Sequence, residues 1–217
     1  DVAYCLPEAY LKQLRSLTGR LKPDFVLLGE VLHGDYNRWM NPEMCHSVTN
    51  YECYKGLHSS LNSMNLFEIG HSLARQFGPE PWTLYKGQHL LNFLDNHDVE
   101  RIASILRDPS HLPVAYGLLF AMPGVPAVYY GSEWGAKGDK SQGDPALRPS
   151  FDKPVYNELT EFISKLSKAK KSSDALNYGD FTSVVLTNKQ CIFKRSIEGK
   201  SVYVCINADE NDYKVRF

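Results

Sequence analysis

The sequence predicts an α/β fold of parallel strands and crossover helices, followed by a shorter antiparallel β unit. Three observations carry that prediction. Apolar runs of strand length alternate with stretches of helical period four times before residue 172, which implies parallel strands joined by right-handed crossovers. Each run ends in a polar cluster (Glu30–Arg38, Asn50–Tyr51, Asp95–Asp98, Gly131–Glu133), so the four clusters project from one rim. After Lys171 the composition shifts to Val, Ile, Tyr and Phe, punctuated by turn signals such as Glu198-Gly199-Lys200. Residues 1–172 are well short of the roughly 250 that an eight-unit barrel needs and read as half a barrel, the earlier half absent. Residues 173–217 form the second unit, with the boundary inside Lys170–Asp180.

Taken in order, Leu6–Leu21 carries apolar residues at Leu6, Ala9, Tyr10, Leu14 and Leu17, near helical spacing, with Pro7 at the start and Gly19 near the stop. Asp24–Gly29 is a buried strand delivering Glu30, and His46–Tyr51 is a β-branched strand. Helices follow over Glu52–Leu61 and Leu66–Phe77. The apolar run Leu90, Leu91, Phe93, Leu94 is a strand ending at Asp95, and the next helix carries Ile102, Ile105 and Leu106. A further helix covers Leu112–Met122, then a strand covers Val125–Tyr130. A Gly- and Pro-rich loop runs from Trp134 to Pro149, and Tyr156–Ala169 is an amphipathic helix. The second unit is predicted to hold strands at Phe181–Leu186, Cys191–Arg195, Ser201–Ile206 and Tyr213–Phe217, and reads as stopping early at Phe217.

Composition excludes several classes. With 217 residues, 43% of them hydrophobic and 23% charged, the chain buries a real core. A net charge of −1 without a basic block argues against nucleic acid as a partner. No apolar run reaches membrane-spanning length, and the opening DVAYCLPEAYLKQL lacks the pattern of a signal peptide. The cysteines (Cys5, Cys45, Cys53, Cys191, Cys205) contain no CxxC pair, so buried free thiols are expected rather than a disulfide framework.

Two strand ends carry the chemistry. Glu30 precedes His33, Asp35, Tyr36, Asn37, Arg38 and Trp39, and the Asp95-Asn96-His97-Asp98 cluster closes an apolar strand. Carboxyl groups among aromatic and apolar walls resist ionisation, which a general acid requires. The plainer reading of each alone is a helix cap, a turn or a core histidine. Two such ends on one rim favour a catalytic cleft.

LLGEVLHGDYNRW, LLNFLDNHDVER and GVPAVYYGSEWG resemble three signature stretches of the α-amylase superfamily (glycoside hydrolase family thirteen), in that family's order. Asp1-Val2-Ala3 is similar to the tail of the motif in which Arg-x-Asp carries the nucleophile. The resemblance implies the C-terminal half of a (β/α)8 TIM barrel followed by an antiparallel β-sandwich domain. It implies a retaining hydrolase of α-glucans or maltooligosaccharides. In it Asp1 attacks the anomeric carbon, Glu30 protonates the departing oxygen, and Asp98 stabilises the oxocarbenium-like transition state. The two carboxyls of a retaining pair stand about 5–5.5 Å apart. His97 would donate to the same sugar, Asp144 and Arg148 would bind its non-reducing side, and His33 and Tyr51 would line the leaving-group side. Asp144 and Arg148 can equally pair with each other, and Tyr130 and Glu133 read as scaffold. No cofactor is implied for the chemistry; a structural calcium belongs to many members and would be held by a longer protein.

The sequence departs from the family pattern in four places. It lacks the Arg two residues before the nucleophile, the earlier strand with Asp and Asn-His, and the calcium-binding excursion. Where typical members have Lys-His after the nucleophile it has Tyr4-Cys5. A half-barrel alone is expected to be inactive, with strand edges free to pair with another chain. Two rivals stand beside this reading. One is a metal-dependent hydrolase using His33, Asp35, His97 and Asp98, whose spacing fits no standard zinc signature. The other is an amylase-like binding or partner protein without catalysis.

Overall fold

Backbone pairing in the first unit is sparse and parallel. A computed structural model describes residues 1–216. Strand β1 (Leu28–Gly29) pairs with β2 (Ser47–Val48), Thr49 bridges to Leu91, and β3 (Leu91–Phe93) pairs with β4 (Val125–Ala127). The order β1-β2-β3-β4 therefore follows the chain. These strands are much shorter than the apolar runs that predict them. Among the described residues β1 has a ladder partner on one side only, and Phe25 and Val26 stand exposed. At the other end Pro126 lacks an N–H to donate, which suits an edge strand.

Between the strands run helices α1 (Glu8–Leu21), α2 (Tyr51–Ser63), α3 (Phe67–Phe77), the short α4 (Ile102–Ile105) and α5 (His111–Ala121). The Trp134–Pro149 segment predicted as loop contains a single turn, α6 (Asp144–Leu147), and α7 (Glu158–Lys171) follows. Helix α7 starts two residues later than its periodicity predicts because Asn157 and Thr160 form a reciprocal capping box. Glu158 and Glu161 sit in its first turn and Lys168, Lys170 and Lys171 in its last, matching the helix dipole. Asn50 caps α2 by accepting from the Cys53 N–H.

Side chains do what the short ladders cannot. Asn50, Gln76 and Asn92, each fully buried, are joined amide to amide. Asn50 donates to Gln76 Oε1 at 2.9 Å and to Asn92 Oδ1 at 2.8 Å, and Asn92 donates to Pro123 O at 2.7 Å. Gly124 (φ 107°) follows Pro123, where a Cβ would stand 2.5 Å from both Leu90 O and Asn92 Nδ2. Only glycine fits there.

The second unit begins with α8 (Asp174–Tyr178) and continues as an antiparallel meander of β5 (Asp180–Leu186), β6 (Gln190–Ile197) and β7 (Lys200–Asn207). Glu198 (φ 47°) and Gly199 (φ 77°) supply the two left-handed residues of the β6–β7 hairpin. What covers the sheet is helical. Leu186 rests on Gly70 of α3, and Arg195 donates to Ala121 O of α5 and to Gly179 O beyond α8. Among the described residues the expected sandwich is thus one sheet on helices, and its buried Phe181, Cys191 and Phe193 belong to the same core as the helices. The predicted fourth strand does not form over residues 213–216, and Phe217 lies outside the described residues. Successive Asx turns, in which Asn207 and Asp209 accept from the N–H groups of Asp209 and Asn211, bend the chain away from the ladder. Cys45, Cys53 and Cys191 are buried free thiols as expected, whereas Cys5 and Cys205 are exposed. No helix among the described residues is long and apolar enough to cross a membrane.

Candidate active site

The approach of residues 1–3 to β1 sets the first wall of the site. The Ala3 N–H donates to Glu30 O at 2.9 Å. This close passage is permitted because residue 29 is glycine; a Cβ there would lie 2.9 Å from Cys45 Sγ and 3.1 Å from the Ala3 methyl. Val2 adopts φ 44°, a left-handed conformation that is costly for a β-branched residue. Together these place Asp1 at the rim beside Glu30. Asp1, Glu30, Phe93, Asn96, His97 and Tyr129 line a common cavity of about 360 Å³.

Hydrogen bonds connect the groups at that rim. The Tyr51 hydroxyl donates to Glu30 Oε1 at 3.0 Å, and the Asn96 amide donates to the Tyr51 oxygen at 3.0 Å. Asn96 Oδ1 in turn accepts the Asp98 N–H at 2.8 Å. The Tyr51 ring is packed edge-on against Phe93, 4.9 Å between centroids. Burial pushes its hydroxyl up to about 12, so it remains a donor through the neutral range. The aromatic group in contact with Glu30 is thus Tyr51.

Asp98 stands beside the cavity, gripped from the loop that follows β4. Arg148 donates to Asp98 Oδ1 at 2.6 Å and to His97 O at 3.1 Å, and Lys140 donates to Asp98 O at 2.8 Å. His97 Nε2 lies 3.2 Å from Asp98 Oδ2. Arg148 also reaches Asp144, but only at 3.9 Å, so its main partner is Asp98. His33 sits on the exposed loop with its ring tilted against Tyr4 at 5.7 Å. The Tyr130 hydroxyl donates to Pro149 O, and Glu133 O accepts from Thr160. Among the described residues no group of three or more His, Cys, Asp or Glu is placed to hold a metal ion; His33, Asp35, His97 and Asp98 do not converge.

Beneath the rim lies a buried polar hub. Asp95, three residues before Asp98, accepts the Ile102 N–H at 2.8 Å and the Ser132 hydroxyl at 2.7 Å. Burial pushes its carboxyl above the usual range, against these hydrogen bonds and the Arg101 charge. Arg101, wholly buried, donates to Ser132 Oγ at 3.0 Å and Leu147 O at 2.9 Å and lies 4.1 Å over the Tyr129 ring. The sequence reading missed the parts played by Asn96, Arg101 and Tyr129. The one available signal was the Asn-x-Asp spacing of an Asx turn at Asn96.

These features coincide with similarity to known proteins. A family model described as "Alpha amylase, catalytic domain" matches residues 7–184. Cyclomaltodextrinase of Thermoanaerobacter pseudethanolicus is 26% identical over 95% of this chain and 36% of its own length. Maltogenic alpha-amylase of Bacillus acidopullulyticus is 27% identical over 100% of this chain and 38% of its own. The chain therefore spans little more than a third of these relatives. In fold it is similar to the alpha-amylase from Geobacillus thermoleovorans complexed with acarbose, with a TM-score of 0.82 at 24% identity over 96% of this chain and 47% of that one. Matched over most of its length, the chain belongs to the α-amylase catalytic-domain family.

Proposed function

We propose that this chain carries the acid, nucleophile and transition-state carboxylates of a retaining α-glucan hydrolase acting on maltodextrins, by hydrolysis or transglycosylation. The observation that carries the reading is that Asp1, Glu30 and His97 line one cavity, with Asp98 hydrogen-bonded at its margin. In this mechanism an Asp1 carboxylate oxygen bonds to the anomeric carbon as the glycosidic C–O bond breaks, and Glu30 gives its proton to the departing oxygen. Glu30 then takes a proton from the water or sugar hydroxyl that releases the glycosyl group. His97 and Asp98 hold the ring where positive charge develops. Asp144 and Arg148 lie toward the non-reducing side, with Arg148 setting the position of Asp98, and His33 toward the leaving group. The chemistry uses no cofactor.

The four parallel strands are, in this reading, the C-terminal half of a (β/α)8 barrel over residues 1–172, and residues 173–217 form the β domain. The two units share one core. Both ends of the arc offer apolar edges, with Phe25, Val26 and Leu28 along β1 and Val125 facing a groove of about 1000 Å³ along β4. Another polypeptide segment covering these edges would complete the cleft, and the 217-residue chain alone is inactive. Any structural calcium belongs to such a longer assembly.

The test compares two samples, this chain alone and the longest natural polypeptide that contains it, identified by intact mass. Maltoheptaose turnover is expected only in the second, with α configuration retained at the anomeric carbon. There Glu30→Gln should cut turnover roughly a thousandfold, the scale of general acid catalysis. Unaltered turnover in Glu30→Gln sinks the assigned acid, and turnover by the isolated chain sinks the need for a cover. Maltoheptaose binding without turnover in either sample would favour the non-catalytic binding protein.

A further inference from the structure

Three hydrogen bonds at the rim all point the same way. The Asp98 N–H donates to Asn96 Oδ1 at 2.8 Å, the Asn96 amide to Tyr51 Oη at 3.0 Å, and the Tyr51 hydroxyl to Glu30 Oε1 at 3.0 Å. The series joins three different parts of the fold. Asp98 and Asn96 follow β3, Tyr51 opens α2, and Glu30 follows β1. We infer that Tyr51 and Asn96 are positioning residues forming a directional relay that couples the protonation of Glu30 to the placement of Asp98. The inference rests on Glu30 acting as the acid.

The physical reason is polarisation along the chain of bonds. A hydrogen bond ending on an ionised acceptor is shorter and roughly twice as strong as a neutral one, and bonds in series reinforce one another. The relay occupies Oε1 of Glu30 and leaves Oε2 to carry the transferable proton. While Glu30 holds that proton the terminal bond is a neutral one and the relay is slack. When the proton passes to the departing oxygen, Oε1 becomes a carboxylate acceptor and the whole series tightens. Asp98 is then held by its backbone as positive charge grows on the sugar. The Tyr51 ring is fixed for this by its contacts with Phe93 and Tyr54, at 4.9 and 6.1 Å, and its hydroxyl stays protonated at neutral pH.

The experiment reads amide signals of the isolated chain by NMR and needs no turnover. Glu30→Gln, which mimics the neutral acid, is expected to shift the Asn96 side-chain amide and the Asp98 backbone amide. In a Tyr51→Phe background the same substitution should leave both signals in place. Equal shifts in the two backgrounds, or none in either, overturn the relay. Should Tyr51→Phe fold poorly, Asn96→Ser cuts the same path, and Glu30→Gln in that background should leave the Asp98 amide signal in place. A shift there as large as in the wild-type background also overturns the relay. Turnover of Glu30→Gln in the longer polypeptide separates the two ideas: if it persists, Glu30 is not the acid, whatever the amides report.

Discussion

The parallel arc and the antiparallel sheet solve the same problem, register, by opposite means. In the sheet, β6 and β7 pair residue for residue from Gln190↔Asn207 to Ile197↔Lys200, and the backbone ladder fixes the alignment. In the arc, strands of two or three residues make few ladder bonds. Their alignment comes from buried side chains: Thr49, whose hydroxyl accepts from Val31 N and donates to Val31 O, the Asn50–Gln76–Asn92 amides, and the Asp95–Ser132–Arg101 hub. A ladder spreads its strength over many equivalent bonds. A set of buried polar groups concentrates it in a few that cannot be replaced by water. The arc is also where the candidate site lies, so its geometry depends on single residues.

The sharpest way to break the contrast is Arg101→Met. The substitution strips partners from Ser132 and from the carbonyls of Tyr130 and Leu147, and leaves the Asp95 carboxylate buried without its compensating charge. A loss of about 3 kcal/mol or more in urea unfolding is expected. Asp95 already binds its proton more tightly in the native state than in the unfolded chain. Without the Arg101 charge it binds it more tightly still, so the variant should lose stability more steeply than the wild type as pH rises above the usual carboxylate range. A loss under about 1 kcal/mol, flat with pH, would mean the hub does not hold the arc together.

Where the two regions meet, a buried cation has no carboxylate partner among the described residues. Lys170 is 7% exposed and donates only to carbonyls, Met122 O at 3.3 Å and Leu176 O at 3.1 Å. Burial, with the Arg195 charge added, lowers its pKa from 10.5 to about 8. Between those values the unfolded chain binds more protons than the native one, so stability rises with pH over that window. Below pH 8 both states are protonated and the native state bears the full cost. Lys170→Met should remove this rise, a difference between wild type and variant of up to about 3 kcal/mol. Parallel curves for the two proteins from pH 8 to 10 would count against the assignment.

How far these features were legible in the sequence depends on their range. Periodicity located the helices of the arc to within a few residues, except the single turn α6 inside a predicted loop, and the Glu198-Gly199 turn was evident from its chemistry. The strand ends bearing Glu30 and Asp98 were also visible, because an apolar run that stops in carboxylates is a local pattern. Strand length was not, since it depends on which neighbours complete the ladder. Arg101 stands just before a short helix, and nothing local shows that its guanidinium lies buried over Tyr129. Asn92 was hidden for the same reason. Inside an apolar strand it interrupts the pattern, and its meaning lies in Asn50, forty-two residues away.

Asn92→Leu tests that hidden amide directly. The substitution leaves the Asn50 amide and Pro123 O short of a partner in a dry interior, and a loss of about 2 kcal/mol is expected. Because Asn92 lies between β2 and the turn before β4, the amides of Thr49 and Val125 should exchange faster while those of β6 and β7 do not. Uniform acceleration across both regions would show that the arc and the sheet unfold as one unit.

The smallest effect belongs to the sheet. Ser201 is exposed at the start of β7 and faces Ser196 across the β6–β7 hairpin. Thr in its place is β-branched and favours the strand slightly. The flanking pairs, Arg195↔Val202 and Ile197↔Lys200, keep the register whatever residue 201 carries. A change within about 0.5 kcal/mol is therefore expected for Ser201→Thr, with the amides of β6 keeping their protection. A loss as large as that of Asn92→Leu would mean that the ladder does not spread its load, and the distinction between the two regions would fail where it should hold best.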